Sequence, residues 1–196
     1  MAAVLLPPLL REIQRTAPRI DIGMRQVLRD TAIAELDARL VDVVVVPLDE
    51  VPGRFVHKVI FEDDFVVVSR AGHPFALAPT LDHYCGMKHL AVSTTGGPRA
   101  PIDDLLAREG RARRVALTVP NFMLAFALLA ETDLIAALPR GLLAMNGSRF
   151  GLIGTPLPFS TTRYQFRVIV PKVAMMDAGV EWLFGLLECP GQSGAA

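Results

Sequence analysis

The sequence predicts an α/β protein. Helical and extended patterns take turns along the chain, and the run Asp42-Val-Val-Val-Val46 reads as a strand apolar on both faces, as a parallel sheet covered by helices on two sides requires. Two long extended segments, near 63–70 and 163–170, divide the alternation into two series. They predict two lobes joined by crossing strands, lobe I from 1–69 with 163–196 and lobe II from 70–162.

The elements follow in order. Leu5, Leu6, Leu9, Leu10, Ile13 and Ala17 recur at helical spacing, and Pro18 closes that helix. Arg19-Ile-Asp-Ile-Gly-Met-Arg25 alternates apolar with polar residues, the pattern of a half-buried strand. Asp30 is placed to cap a helix whose inner face is Ile33, Leu36 and Leu40, and the valine strand follows. Residues 55–70 read as two extended segments joined by Glu62-Asp63-Asp64, and Ala71-Gly-His-Pro-Phe75 breaks the pattern, with His73 in an exposed turn. The second series predicts a short helix at 81–86, a strand at 89–93, a loop at 94–98 and a helix from Pro101 to Glu109. Asp103 and Asp104 then lie near the positive end of that helix dipole. A strand at 114–119, an apolar helix at 121–130, a strand at 133–138, a short helix at 139–145 and an extended piece at 151–155 come next. The strand 164–170 and a helix at 175–187, with Val180, Leu183, Phe184 and Leu187 on one face, complete the chain.

Composition narrows the function classes. The chain has 196 residues, 52% of them hydrophobic, which is enough for a buried core. Its 20 Lys+Arg balance 20 Asp+Glu, so the clustered positive excess that phosphate binding needs is missing and no nucleic acid is expected on this chain itself. The longest apolar run, Phe122–Ala130, is far short of the ~20 residues of a membrane-spanning helix. Cys85 and Cys189 make no disulfide framework, and the apolar opening, interrupted by Pro7 and Pro8, reads as helix rather than export leader; a cytoplasmic location is expected.

Six segments carry a resemblance: Leu5–Leu10 with Ala17-Pro18, Leu40–Val46, Phe61–Val68 followed by Gly72-His73-Pro74, Ser93–Gly97, Val115–Phe122, and Asp133–Pro139. In this order the chain resembles the effector-binding domain of LysR-type transcriptional regulators. The resemblance implies two Rossmann-like lobes of the type 2 periplasmic-binding-protein kind, a small-molecule effector, no cofactor and a homodimer; the apolar face of the helix 30–40 with its flanking strands reads either as the dimer surface or, equally, as internal core. Regulators of that family begin with a winged helix-turn-helix, a linker helix and a first strand. The resemblance places Met1 inside the first effector-domain helix, so independent DNA binding by this chain is not expected. If that first strand is missing, the strands at 19–25 and 42–46 lose a shared neighbour.

Ligands of open α/β sheets collect beyond the carboxyl ends of the strands, beside helix N-termini. Three segments meet that description: Pro47-Leu48, the loop Ser93-Thr94-Thr95-Gly96 and its continuation to Pro98, and Pro120-Asn121-Phe122. The second offers three hydroxyls and glycines that let backbone N–H groups approach an anion such as a carboxylate. The same loop also reads as a plain polar turn with a cap, and Asn121 as an N-cap with Phe122 packing beside it. Arg99 and Arg140 are placed either to meet an acidic ligand or to remain solvated. His83, Cys85 and His89 match no zinc spacing, Asp63-Asp64 and Asp103-Asp104 read as solvated faces, and no GxSxG, HExxH, GxGxxG or phosphate-loop motif occurs. The function expected is therefore effector sensing without catalysis. A free-standing solute-binding protein, or an enzyme on the same fold acting on a small acid, are the alternatives.

Overall fold

The computed structural model describes residues 2–93, 97 and 100–187, with side chains from residue 5 onward. It divides into two compact units, 1–63 with 163–196 and 64–162.

The first unit is built on a three-stranded antiparallel sheet. Its central strand is β8 (Tyr164–Pro171), flanked by β1 (Val44–Val46) and β2 (Phe55–Asp63). On one face Ile60, Phe166 and Val168 meet Leu5 of α1 (Ala2–Thr16) and Leu187, just past α7 (Ala178–Leu186). On the other, Val44, Val46, Phe55 and Ile169 meet Ala32 and Leu36 of α2 (Ala32–Asp37). The valines thus face two apolar layers as expected, but their one ladder among the described residues is antiparallel, to β8.

Two first-unit expectations need correction. Residues 19–25 form no strand: alternation sets which side chains share a face, but a strand also needs a ladder partner, and none of the described residues supplies one. Thr31, not Asp30, precedes the first turn of α2, and its hydroxyl lies 3.1 Å from a Glu35 carboxylate oxygen. Arg39 follows with positive φ, so the helix has ended before Leu40, which is 58% exposed.

In the second unit β3 (Phe65–Arg70) pairs antiparallel with β6 (Ala136–Pro139) and β7 (Leu152–Pro156). Those pairings draw residues 64–69 into this unit and set the boundary at 63/64, where the sequence reading put it at 69/70. β4 (Lys88–Val92) and β5 (Arg114–Val119) form a parallel pair, joined to the approach of β6 by a parallel bridge from His89 to Ile135. Val67, Phe75, Ile102, Leu106 and Ile135 fill the core with Tyr84 of α3 (Leu81–Gly86). α5 (Phe122–Glu131) buries Ala125, Phe126 and Leu129. His73 is buried, contrary to the expected exposed turn: its Nδ1 accepts the Phe75 N–H at 3.1 Å and its Nε2 lies 3.3 Å from the Asp133 carbonyl, fastening the turn to the chain before β6.

Among the described residues no helix is long and apolar enough to cross a membrane.

Candidate ligand-binding site

Parallel pairing puts the carboxyl ends of β4 and β5 at the same edge of the second unit. The Ser93 N–H donates to the Val119 carbonyl at 2.9 Å, so the ladder runs one residue past β4 and sets Ser93 beside the turn into α5. In that turn the Asn121 Oδ1 accepts the Leu124 N–H at 2.9 Å, an N-cap that starts α5 at Phe122. Ser93, Pro120, Asn121 and Phe122 are therefore brought together, with Pro120 and Asn121 exposed and Ser93 and Phe122 half-buried. Thr94, Thr95, Gly96 and Arg99 lie outside the described residues. With one lone pair of its oxygen engaged in the cap, Asn121 still has two amide N–H donors to offer, which suits an acceptor such as a carboxylate.

An ion pair with a buried arginine stands at the start of α4, and the sequence reading missed it. One Asp103 oxygen accepts the Ala100 N–H at 2.7 Å, the residue before α4 (Pro101–Arg108). Both oxygens receive the Arg113 fork, at 2.8 and 3.0 Å, and the Arg113 side chain is 2% exposed. Burial works to raise the Asp103 carboxyl, but the bonds from Arg113 and from Ala100 outweigh it and hold the group below the usual carboxylate range. Asp103 is not part of a solvated face; it ties the start of α4 to the residue before β5. The only hint in the sequence was an acidic residue at the third position of a helix, since the arginine comes ten residues later.

Within β4 itself His89 is fully buried. Its Nε2 donates to the Tyr84 carbonyl at 2.7 Å, its Nδ1 has no partner among the described residues, and burial lowers its pKa to about 4. His83 turns its Nδ1 toward the Ala78 carbonyl at 2.8 Å, so each imidazole is engaged with a different stretch of backbone. Arg140 is also committed. Its guanidinium grips the Asp64 carboxylate at 2.6 and 3.0 Å while its N–H donates to the Asp64 carbonyl at 2.9 Å, so neither acid of Asp63-Asp64 is a plain solvated face, Asp63 being buried.

In the first unit Pro47 and Leu48 follow β1 directly. The Leu48 side chain joins the Val44–Val46 core layer, and its carbonyl accepts from Arg167 Nε at 2.8 Å. Arg167 Nη2 also donates to Gln165 at 2.8 Å, and Gln165 donates in turn to Glu62 at 2.8 Å. This row across β8 and β2 fixes the backbone after β1. The signal for it was present in the sequence: Gln165 and Arg167 are polar residues two apart in an apolar strand, and so share a face.

The arrangement defines a class before it defines a family: an α/β domain with hydrogen-bonding loops at strand carboxyl ends, of the type 2 periplasmic-binding-protein kind. Solved structures match that fold. The regulatory domain of MexT, a transcriptional activator in Pseudomonas aeruginosa, is 30% identical with a TM-score of 0.79, covering 94% of this chain and 90% of that one. The probable transcriptional regulator PA0477 from the same organism is 30% identical with a TM-score of 0.84, covering 95% of this chain and 62% of that one. The effector binding domain of QuiR, solved in complex with shikimate, has a TM-score of 0.73 at 16% identity, covering 95% of this chain and 90% of that one. The family model for the LysR substrate binding domain matches residues 1–189, and the chain belongs to that family. Among curated relatives, the transcriptional activator NagR of Ralstonia sp is 27% identical over 179 residues, 91% of this chain and 60% of the relative. NahR of Pseudomonas putida, also an activator, is 27% identical over 174 residues, 87% of this chain and 54% of the relative. The chain spans little more than half the length of these regulators.

Proposed function

We propose that this effector domain senses a small organic acid on behalf of a LysR-type transcriptional regulator in the cytoplasm, and catalyses no reaction. The contacts assigned to the acid are Ser93, Thr94, Thr95, Gly96, Pro120, Asn121 and Phe122 of the second unit. The observation that carries this reading is the Ser93 to Val119 hydrogen bond, which sets a hydroxyl and a capped helix start side by side at the carboxyl ends of two parallel strands. Membership of the family and the regulators among its relatives support the sensing role. The shikimate complex of QuiR supports a small acid as the kind of ligand.

The effector acts by its differential affinity for two arrangements of the regulator, and DNA contact belongs to the DNA-binding part of that regulator. The test is a thermal-shift screen with small aromatic and aliphatic carboxylates. A hit raises the melting temperature progressively with its concentration, corresponding to about 2.7 kcal/mol at a hundredfold excess over Kd. Thr95→Val weakens that response while leaving the unliganded melting temperature in place. A flat response across the whole panel contradicts the proposal, and turnover of a hit compound would favour an enzyme instead.

A further inference from the structure

We propose that the first unit carries a ligand site of its own, which takes an α-amino acid with an apolar side chain in its zwitterionic form. Two observations lead there. The first is a strained arginine. α2 ends in a Schellman turn, in which the Arg39 N–H donates to the Leu36 carbonyl and the Leu40 N–H to the Glu35 carbonyl, both at 3.0 Å. Such a turn puts Arg39 in left-handed backbone, at φ +54, where glycine alone sits without strain. Among the described non-glycine residues no other has a positive φ. Strain of this kind marks a side chain with a purpose beyond the turn, yet the Arg39 guanidinium makes no hydrogen bond or ion pair among the described residues. The second observation is the cavity that Arg39 lines, about 680 Å³. Its walls are drawn from residues 36–55 and 171–180 alone, so none of them depends on the chain before α2.

The lining shows what fits. A volume of this size lies within the roughly 300–1,000 Å³ of small-molecule sites. Leu36 and Phe55, both buried, and the half-buried Val41 and Val180 supply its apolar part. Its charges balance, with Arg39, Arg54 and Lys172 against Asp37, Asp42 and Asp177. Some of these are committed. Arg54 grips Asp37 with both arms of its fork, at 2.6 and 3.0 Å, and lies over the Phe55 ring. One Asp177 oxygen caps α7, accepting the Gly179 and Val180 N–H groups at 2.8 and 3.1 Å. The side chains of Arg39, Lys172 and Asp42 remain without partners among the described residues, with the second Asp177 oxygen beside them. A ligand matched to that set carries one group of each sign on an apolar body. Its carboxylate takes the Arg39 fork and Lys172, its ammonium takes Asp42, and its side chain takes the Leu36, Phe55 and Val180 surface. A bare carboxylate or a bare amine brings net charge into a lining whose own charges cancel, and answers only half of the uncommitted groups.

Amide chemical-shift mapping by NMR on the full 196-residue chain tests this. The probes are leucine and phenylalanine, each beside the des-amino acid and the decarboxylated amine that share its side chain. Saturable shifts should appear at 36–42, 54–55 and 172–180, with at least one of the two amino acids binding roughly tenfold or more tightly than either of its own analogues. Arg39→Gly separates site from scaffold. It relieves the left-handed strain, so the melting temperature should stay in place or rise, while loss of the guanidinium weakens amino-acid binding roughly tenfold. Asp42→Asn should narrow the gap between the amino acid and its des-amino analogue. Amides of the first unit unmoved by both amino acids, a des-amino analogue bound there as tightly as its parent, or Arg39→Gly binding as well as the native chain overturns the proposal. So do shifts confined to Ser93 and 120–124, which would report carboxylate binding at the strand ends of the second unit instead.

Discussion

Lowering the pH should unfold the second unit through His89 before most carboxylates respond. The imidazole is fully buried, edge-on to the Tyr84 ring with centroids 4.5 Å apart, and among the described residues only one of its nitrogens has a partner. Burial, reinforced by the charge of Arg113, lowers its pKa to about 4, against about 6.5 in the unfolded chain. Between these values the unfolded chain binds a proton that the folded one refuses. Stability is therefore fully present above pH 6.5 and falls as the pH is lowered toward 4. At 1.36 kcal/mol per unit, the loss accumulated over that window is about 3 kcal/mol. His89→Gln keeps a donor for the Tyr84 carbonyl and removes the titration. Urea unfolding at pH 7.5, 5.5 and 4.5 should show the native chain losing about 3 kcal/mol more than the variant across the series. Groups that titrate in both proteins cancel in that difference. Parallel losses in the two would refute the reasoning, because they would mean that His89 accepts its proton as readily folded as unfolded.

Other perturbations have definite outcomes. Asp103→Ala strands the Arg113 guanidinium in the interior and frees the Ala100 N–H, so the second unit should lose about 3 kcal/mol in urea unfolding; Asp103→Leu/Arg113→Met should recover much of it. Asn121→Ala removes the cap on α5 and should cost about 1 kcal/mol, with weaker carboxylate binding in the same preparation by calorimetry. Gly151 has φ +64 in the turn into β7, so Gly151→Ala should cost about 1 kcal/mol of thermal stability with no change in ligand affinity.

Most elements were legible because their information is local. The apolar period of 5–17, the proline at the start of 101–108 and the β-branched runs at 65–68 and 166–170 each name their structure within a few residues. What escaped the sequence depended on partners far along the chain. The 19–25 segment has the right alternation and no ladder. Arg140 is claimed by Asp64 across several strands, and Arg113 by Asp103 across the turn that follows α4, pairings that become visible only when the chain between them is placed. His73 reads as a turn residue until the Asp133 carbonyl arrives beside its ring. For the site, chain order was enough to bring Ser93 and Pro120–Phe122 to one edge, since both follow strands that run the same way. That Gln165 and Arg167 share a face was legible too, but not that Arg167 reaches the Leu48 carbonyl, because that contact crosses from the end of the chain to its beginning.

The most direct test is a hydrogen-exchange footprint of the chain saturated with a carboxylate that stabilises it. The amides of Ser93–Gly97 and Asn121–Leu124 should slow on saturation, and amides in α1 and α7 should stay as they were. Slowing confined to those helices, with 93–97 and 121–124 unchanged, would contradict the placement of the effector at the strand ends.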